Sequence, residues 1–264
     1  MEAYADGSYY NRLGLFAVAT FVAPMNDWAR LEIHWRRLLH EADPGLDVFH
    51  TTDFMSGKVK PYSEWTRDKR AKLISGLITI VCETAIYGVA GIMRSSGYKT
   101  LKAMHSRGTS LLGENTYAMC ADTCITFIGR RLDDMGPSRH VAYMFEAGDL
   151  GLPEWNSTIT RIVRSSDKYR DDMKILSVTT PSMKDAPALQ AADIFAYECT
   201  HCDGESTENL QSLASRIPMQ RVYIDDRLVR KAAAGFTPAV ARQLWSEYSL
   251  GKQKKRKLRH RQGN

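Results

Sequence analysis

The chain has 264 residues, of which 44% are hydrophobic, and it carries a formal net charge of +6. This is enough apolar sequence for one large core, and no apolar run approaches the roughly 20 residues that a membrane span needs. The N-terminus is acidic where a secretory signal would be basic, so we expect a cytoplasmic protein. The five cysteines are too few and too scattered to indicate a disulfide framework.

The positive charge is concentrated at the C-terminus. Residues 252–264 contain 7 of the 36 Lys and Arg residues and no acid, which leaves 29 basic against 30 acidic residues in the rest of the chain. Such a run is typical of a disordered tail that attracts phosphate backbones without sequence specificity, although a solubilising terminus is an equal alternative. We therefore predict one domain over residues 1–250 and a disordered basic tail over 251–264.

Strand and helix patterns alternate through the first half of the chain. Two apolar runs separated by Gly7-Ser8 and Asn11 predict a β-hairpin. Apolar residues at helical spacing follow Asn26-Asp27, a pair typical of a helix N-cap. The elements predicted here are strands over 2–6, 13–22 and 86–93, a brief extended segment over 47–50, and helices over 26–39, 64–84, 98–105 and 114–133.

The second half continues this alternation. The segments HVAYMFE (140–146) and KILSVTT (174–180) predict strands, and ALQAADIFAYE (188–198) predicts a helix. Further helices are predicted over 153–164, 208–216 and 238–248. This order predicts an α/β fold, in which a mixed sheet is flanked by helices and extra helices follow near the C-terminus.

Three carboxylates lie in apolar surroundings. Asp6 ends the first predicted strand, Glu146 ends the strand HVAYMFE, and Asp193 lies within an otherwise apolar helix. Burying a carboxylate is unfavourable unless it is paired or binds a metal. Mg²⁺ and Mn²⁺ prefer oxygen ligands, and two such ions about 3.5–4 Å apart activate water and stabilise a leaving ester oxygen. The pattern favours a metal site, with unrelated polar residues at strand ends as the alternative.

The sequence resembles a mostly bacterial and phage family called domain of unknown function 3800. The resemblance extends from residue 3 to about residue 200, with uninformative stretches between the motifs. Its most specific feature is LQAADIFAY (189–197), which is close to the family's LQ-x-AD-x-x-A-Y helix. The other matching segments are YADGS (4–8), FH (49–50), YMFE (143–146) and SMK (182–184).

The resemblance implies a ribonuclease H-like fold that gathers Asp6, Glu146 and Asp193 into one cluster. It also implies a nuclease of antiviral defence or mobile elements, acting on DNA or RNA with two Mg²⁺ or Mn²⁺ ions. His50 is then a further metal ligand or a proton shuttle, and Lys184 contacts the scissile phosphate. An ordinary surface or capping histidine and a solvated loop lysine are the alternatives for these two residues.

Two departures from the family pattern leave other functions open. Members often carry an acid directly after the first Asp, where this chain has Gly7, and the acid common near the conserved His is displaced to Asp47 or Asp53. A weakened metal shell is one consequence. The alternative functions are a non-catalytic nucleic-acid-binding scaffold on a degenerate nuclease fold, and a nuclease that acts only with a protein partner or as a homo-oligomer.

Several further residues are candidates for supporting roles. Asp53 and Asp149 are candidates to extend the acidic cluster, although GDLG (148–151) also fits an ordinary turn. Gln190, one helical turn before Asp193, is a candidate to orient it. A zinc site is a separate alternative, built from Cys199 and Cys202 with the pair Cys120 and Cys124; buried helical cysteines are the simpler interpretation.

Overall fold

The N-terminal hairpin sets the direction of the whole sheet. The computed structural model describes residues 1–104, 115–136, 139–149, 151–153, 156, 159, 167–201 and 207–225. Strand β1 (Glu2–Tyr10) pairs antiparallel with β2 (Leu15–Ala23) along its full length. The chain reverses at Gly14, whose φ of 58° lies in the left-handed region that glycine tolerates best.

Four more strands extend this hairpin on both sides. They are β3 (Tyr87–Arg94), β4 (Val141–Phe145), β5 (Ile175–Thr179) and β6 (Met219–Tyr223). The described residues thus form a six-stranded mixed sheet in the order β5-β4-β1-β2-β3-β6. Strand β3 is antiparallel to β2, whereas β4 pairs in parallel with β1, β5 with β4, and β6 with β3. The predicted α/β fold with a mixed sheet is confirmed.

Helices cover both faces of the sheet. Helix α7 packs on β1 and β2 together with α1, and α3 packs on α1, whereas α5 packs on β2 and β3 from the opposite face. Side chains of β2 alternate between these layers, so β2 is apolar along nearly its whole length. The helices are α1 (Met25–Ala42), α2 (Thr51–Ser56), α3 (Arg67–Thr84), α4 (Ser95–Met104), α5 (Thr116–Met135), α6 (Asp167–Asp172), α7 (Pro187–His201) and α8 (Glu208–Arg216), with a 3-10 turn at Tyr62–Glu64.

Several element boundaries differ from the sequence prediction. Strand β1 continues past Asp6 because Gly7 and Ser8 remain paired with β2, so the hairpin turn lies at residues 11–14. Helix α1 begins at Met25 after Pro24, and the prediction of Asn26-Asp27 as its cap is wrong. Residues 47–50 form no regular secondary structure, and His50 has the extended backbone expected of this segment. Strand β6 lacks a clear apolar pattern because it lies at the sheet edge, which explains why the sequence did not predict it.

Some predicted elements cannot be compared with the structure. The helix 238–248 and the basic tail 251–264 lie outside the described residues, as does most of the helix 153–164. Within the described part of the chain, no helix combines the length and apolar character required to cross a membrane.

The contact between β3 and α5 depends on a glycine. A Cβ atom at Gly91 would lie 2.5 Å from the carbonyl oxygen of Cys120 and 2.9 Å from its Cα. We expect Gly91→Ala to lower the free energy of unfolding by about 1–3 kcal/mol, because backbone atoms must move apart. Urea denaturation measures this. Gly97→Ala is the control, since its Cβ meets only Met93 Cε at 3.8 Å; equal stability of the two variants would contradict the prediction.

Candidate functional site

Two neighbouring parallel strands bring the first two carboxylates together. Ala5 of β1 is paired with Phe145 of β4, and the next backbone N–H, that of Glu146, donates to the Ala5 carbonyl oxygen over 3.1 Å. Asp6 therefore lies beside Glu146 just where β4 ends. Glu146 is one residue beyond the strand rather than its last residue, and Asp6 lies in the middle of β1 rather than at its end.

Helix α7 contributes the third carboxylate from above the sheet. Asp193 is only 4% exposed. One of its oxygens, Oδ2, accepts the backbone N–H of Thr51 over 2.8 Å and lies 3.8 Å from His50 Nδ1. Thr51 could not be predicted as a site residue, because its contribution is a backbone donor whose position only the fold defines.

The loop after β4 carries a fourth carboxylate. The backbone N–H of Gly148 donates to Glu146 Oε2, and the N–H of Leu152 donates to the carbonyl oxygen of Asp149 over 3.2 Å. The loop is therefore a turn, as GDLG suggests. It also directs Asp149 into the cluster, since carboxylate oxygens of Asp6, Glu146 and Asp149 all lie within 4.8 Å of one another.

These side chains line one cavity of about 540 Å³. Its wall includes Asp6, Glu146, Asp193, His50 and Lys184, the five residues that the resemblance assigns to the site. The buried carboxylates share it with His50, whose side chain is 53% exposed, and with the exposed Lys184. The full lining is Asp6, Gly7, Ser8, Tyr9, Val48, His50, Thr52, Glu146, Gly148, Asp149, Ser182, Met183, Lys184 and Asp193.

The cluster is acidic and nearly unpaired. Among the described residues, no Lys or Arg forms an ion pair with any of the four carboxylates, and His50 is the one basic partner. Asp6 is 2% exposed, and the hydrogen bond that it accepts comes from the N–H of the adjacent Gly7. Like charges held this closely disfavour ionisation of Asp6, Asp149 and Asp193.

The pKa values of the cluster reflect this crowding. Burial, reinforced by the charges of Asp149 and Asp193, raises the pKa of Asp6 well above its ordinary value. Burial and the charge of Glu146 raise the pKa of Asp149 to about 7. Burial also raises the pKa of Asp193, although the Thr51 N–H and His50 oppose the rise. A divalent cation would remove the repulsion, and hard oxygen donors are the ligands that Mg²⁺ and Mn²⁺ prefer.

Gln190 acts differently from the prediction. Its Oε1 accepts the indole N–H of Trp35 and the backbone N–H of Phe49, both over 2.8 Å, while its amide donates to the Met183 carbonyl oxygen. It makes no hydrogen bond to Asp193. Instead it fixes the extended segment before His50, which in turn places the Thr51 N–H against Asp193.

Two other expectations are corrected by the structure. Asp53 belongs to α2 and does not line the cavity, so it does not extend the cluster. The four-cysteine zinc site does not form from the described residues. Cys120 and Cys124 lie in the core between α5 and the sheet, whereas Cys199 is buried on the opposite face of the sheet; Cys202 lies outside the described residues.

The comparisons with known proteins add no relative. A scan of protein-family models found no match to this chain, and searches of curated proteins and of solved structures found no significant match either.

The role of Gln190 predicts a stability effect. Gln190→Leu would leave the buried N–H groups of Trp35 and Phe49 without acceptors, which costs about 1–3 kcal/mol for each donor. We expect a corresponding fall in the free energy of unfolding in urea. Lys72→Leu, at an exposed position on α3, is the control and should stay within about 0.5 kcal/mol. A loss at Gln190 no larger than that at Lys72 would refute the bridging role.

The raised pKa values predict how the stability of the metal-free protein depends on pH. In the unfolded chain Asp149 ionises near its ordinary pKa, whereas the folded protein retains this proton up to about pH 7. The folded state thus binds more protons between these values, and its stability from this group falls as the pH rises.

We expect Asp149→Asn to flatten the decline in unfolding free energy between about pH 4 and pH 7, measured in urea with EDTA. Glu41→Gln, an exposed carboxylate on α1, serves as the control. An unchanged slope in Asp149→Asn would show that this carboxyl does not titrate as the structure implies.

Proposed function

We propose that this protein is a Mg²⁺- or Mn²⁺-dependent nuclease that hydrolyses phosphodiester bonds at the carboxylate cluster. The observation that carries the proposal is the convergence of Asp6, Glu146 and Asp193. Three separate elements bring these groups into one cavity, without a Lys or Arg partner among the described residues. Structural carboxylates in a protein core are usually paired with a cation, so this cluster is better suited to a metal.

The topology supports a ribonuclease H-like interpretation of the fold. Three antiparallel strands, β1 to β3, are followed by β4, which pairs in parallel with β1, and β5, which pairs in parallel with β4. Asp6 on the first strand, Glu146 directly after the fourth and Asp193 on the helix over the sheet have the arrangement that the resemblance to the domain of unknown function 3800 family implies. A role in antiviral defence or mobile-element biology rests on that resemblance.

The residues fit the metal that this chemistry requires. Asp6, Glu146 and Asp193 would hold the ions, probed most simply with Mn²⁺, and the partly exposed His50 would complete the shell or exchange protons with solvent. When bound, such ions activate water for attack on phosphorus and stabilise the leaving oxygen.

The chain's own side chains have separable tasks in hydrolysis. Water adds to phosphorus and the ester oxygen leaves, so one proton must depart from the water and one must reach the leaving group. His50 lies at the cavity wall, where it reaches both Asp193 and solvent. Lys184, on the loop before α7, offers a compact positive charge to the phosphate. The basic tail would retain the polyanion without sequence specificity.

A cleavage assay tests the proposal directly. Labelled single- and double-stranded DNA and RNA are incubated with Mn²⁺ and the full chain, with and without EDTA. We expect EDTA to abolish cleavage and Asp193→Asn to lower its rate on the order of 10²–10³-fold, as removal of one key electrostatic group does elsewhere. Glu41→Gln, an exposed acid on α1, is the matched control and should retain the full rate.

Cleavage retained by a clean Asp193→Asn preparation would overturn the assignment. Metal binding distinguishes the proposed nuclease from the non-catalytic alternative. A protein whose melting temperature does not rise with Mn²⁺ has no functional metal site, and this outcome would favour a nucleic-acid-binding scaffold.

A further inference from the structure

Position 7 carries glycine because a neighbouring side chain occupies the adjacent space, and not because the backbone conformation requires glycine. Gly7 pairs with Val18 in the middle of the β1–β2 hairpin, in ordinary strand conformation, so its backbone does not call for glycine. Glycine weakens a strand interior, and another residue would normally be favoured here. A Cβ atom at position 7, however, would lie 3.0 Å from both carboxylate oxygens of Asp149. The Asp149 carboxylate thus occupies the space next to this strand position.

A second glycine makes room for the neighbouring carboxylate in the same way. A Cβ atom at Gly148 would lie 2.9 Å from Glu146 Oε2, the atom that accepts the Gly148 N–H. Two glycines, one on β1 and one in the loop after β4, therefore allow two carboxylates to approach the backbone closely. Both carboxylates have an oxygen close to the buried Asp6.

Asp149 has no cationic partner in the part of the chain that the structure describes. The Tyr117 hydroxyl and the Gly7 N–H approach its carboxylate, but its Oδ2 atom is buried without a hydrogen bond of acceptable geometry. A buried carboxylate oxygen left in this state is unfavourable, unless a cation completes its environment. Asp149 lines the same cavity as Asp193.

We propose that Asp149 is a further metal ligand, supplied by the loop after β4 in the space that a side chain at position 7 would otherwise fill. This inference rests on the proposed metal-dependent function and extends it. A carboxylate ligand for the metal site could then come from position 7 or from position 149. The space between the two positions does not admit side chains from both.

Mn²⁺ affinity of the full chain provides the test, measured by calorimetry and by the Mn²⁺-induced rise in melting temperature. We expect Asp149→Ala to weaken binding on the order of 10–100-fold. Gly7→Ala should weaken it in the same direction, because the new Cβ displaces the Asp149 carboxylate. Gly45→Ala is the control, since its Cβ meets only Asp43 Oδ1 at an ordinary 3.5 Å.

Two double variants test the shared space. Gly7→Ala combined with Asp149→Ala should bind Mn²⁺ no more weakly than Asp149→Ala alone, because there is no longer a carboxylate to displace. Gly7→Asp combined with Asp149→Ala should recover about tenfold or more of the lost affinity. Melting temperatures in EDTA establish that each variant is folded before its affinity is compared.

The outcomes separate this inference from the proposed function. If the unmodified protein binds Mn²⁺ and Asp149→Ala binds it equally well, Asp149 is not a ligand and only this inference fails. If the losses of Mn²⁺ affinity caused by Gly7→Ala and Asp149→Ala add up in the double variant, the inference is also overturned. If the unmodified protein binds no Mn²⁺, the proposed function itself fails.

Discussion

Mutual repulsion among buried and half-buried carboxylates is the constraint around which this structure is arranged. Asp6, Glu146, Asp149 and Asp193 share one cavity, and the described residues include no Lys or Arg that forms an ion pair with them. Backbone groups hold them instead: the N–H groups of Gly7, Gly148 and Thr51 donate to Asp6, Glu146 and Asp193. These donors fix the positions of the carboxylates but neutralise no charge, so the repulsion among the carboxylates remains.

The surrounding fold maintains this arrangement through contacts some distance from the cavity. The pairing of Ala5 with Phe145 fixes the separation of Asp6 and Glu146. Gln190 connects Trp35 on α1 to the Phe49 backbone and thereby positions Thr51 and His50 relative to Asp193. The motif LQAADIFAY thus combines a group that faces the cavity, Asp193, with a group that holds the segment opposite it, Gln190. Sites that tolerate unfavourable charge usually depend on such support from rigid elements.

Much of the architecture could be predicted from residue patterns. Apolar runs and helical spacing predicted the α/β class, and α8 has the predicted bounds 208–216. Residue patterns and the family resemblance also predict five site residues that line one cavity in the structure: Asp6, His50, Glu146, Lys184 and Asp193. The prediction failed where the cause was not local. The end of β1 depends on pairing with β2, and the edge strand β6 has little apolar alternation to reveal it. Cys120 and Cys199 have suitable chemistry for zinc, but the sheet lies between them.

The sequence by itself determined which residues are apolar enough to form the sheet and helices, and which carboxylates are placed so that burial requires a partner. Only the tertiary structure decided that these carboxylates meet, because their contacts join residues separated by up to nearly two hundred positions. The structure also shows that the two interpretations of Asp149 are compatible. The residue lies in a turn, and this turn directs its side chain toward Gly7 and the acidic cluster. The glycine at position 7 is explained only by the Asp149 carboxylate that occupies the adjacent space. The sequence alone does not show that these two residues are neighbours.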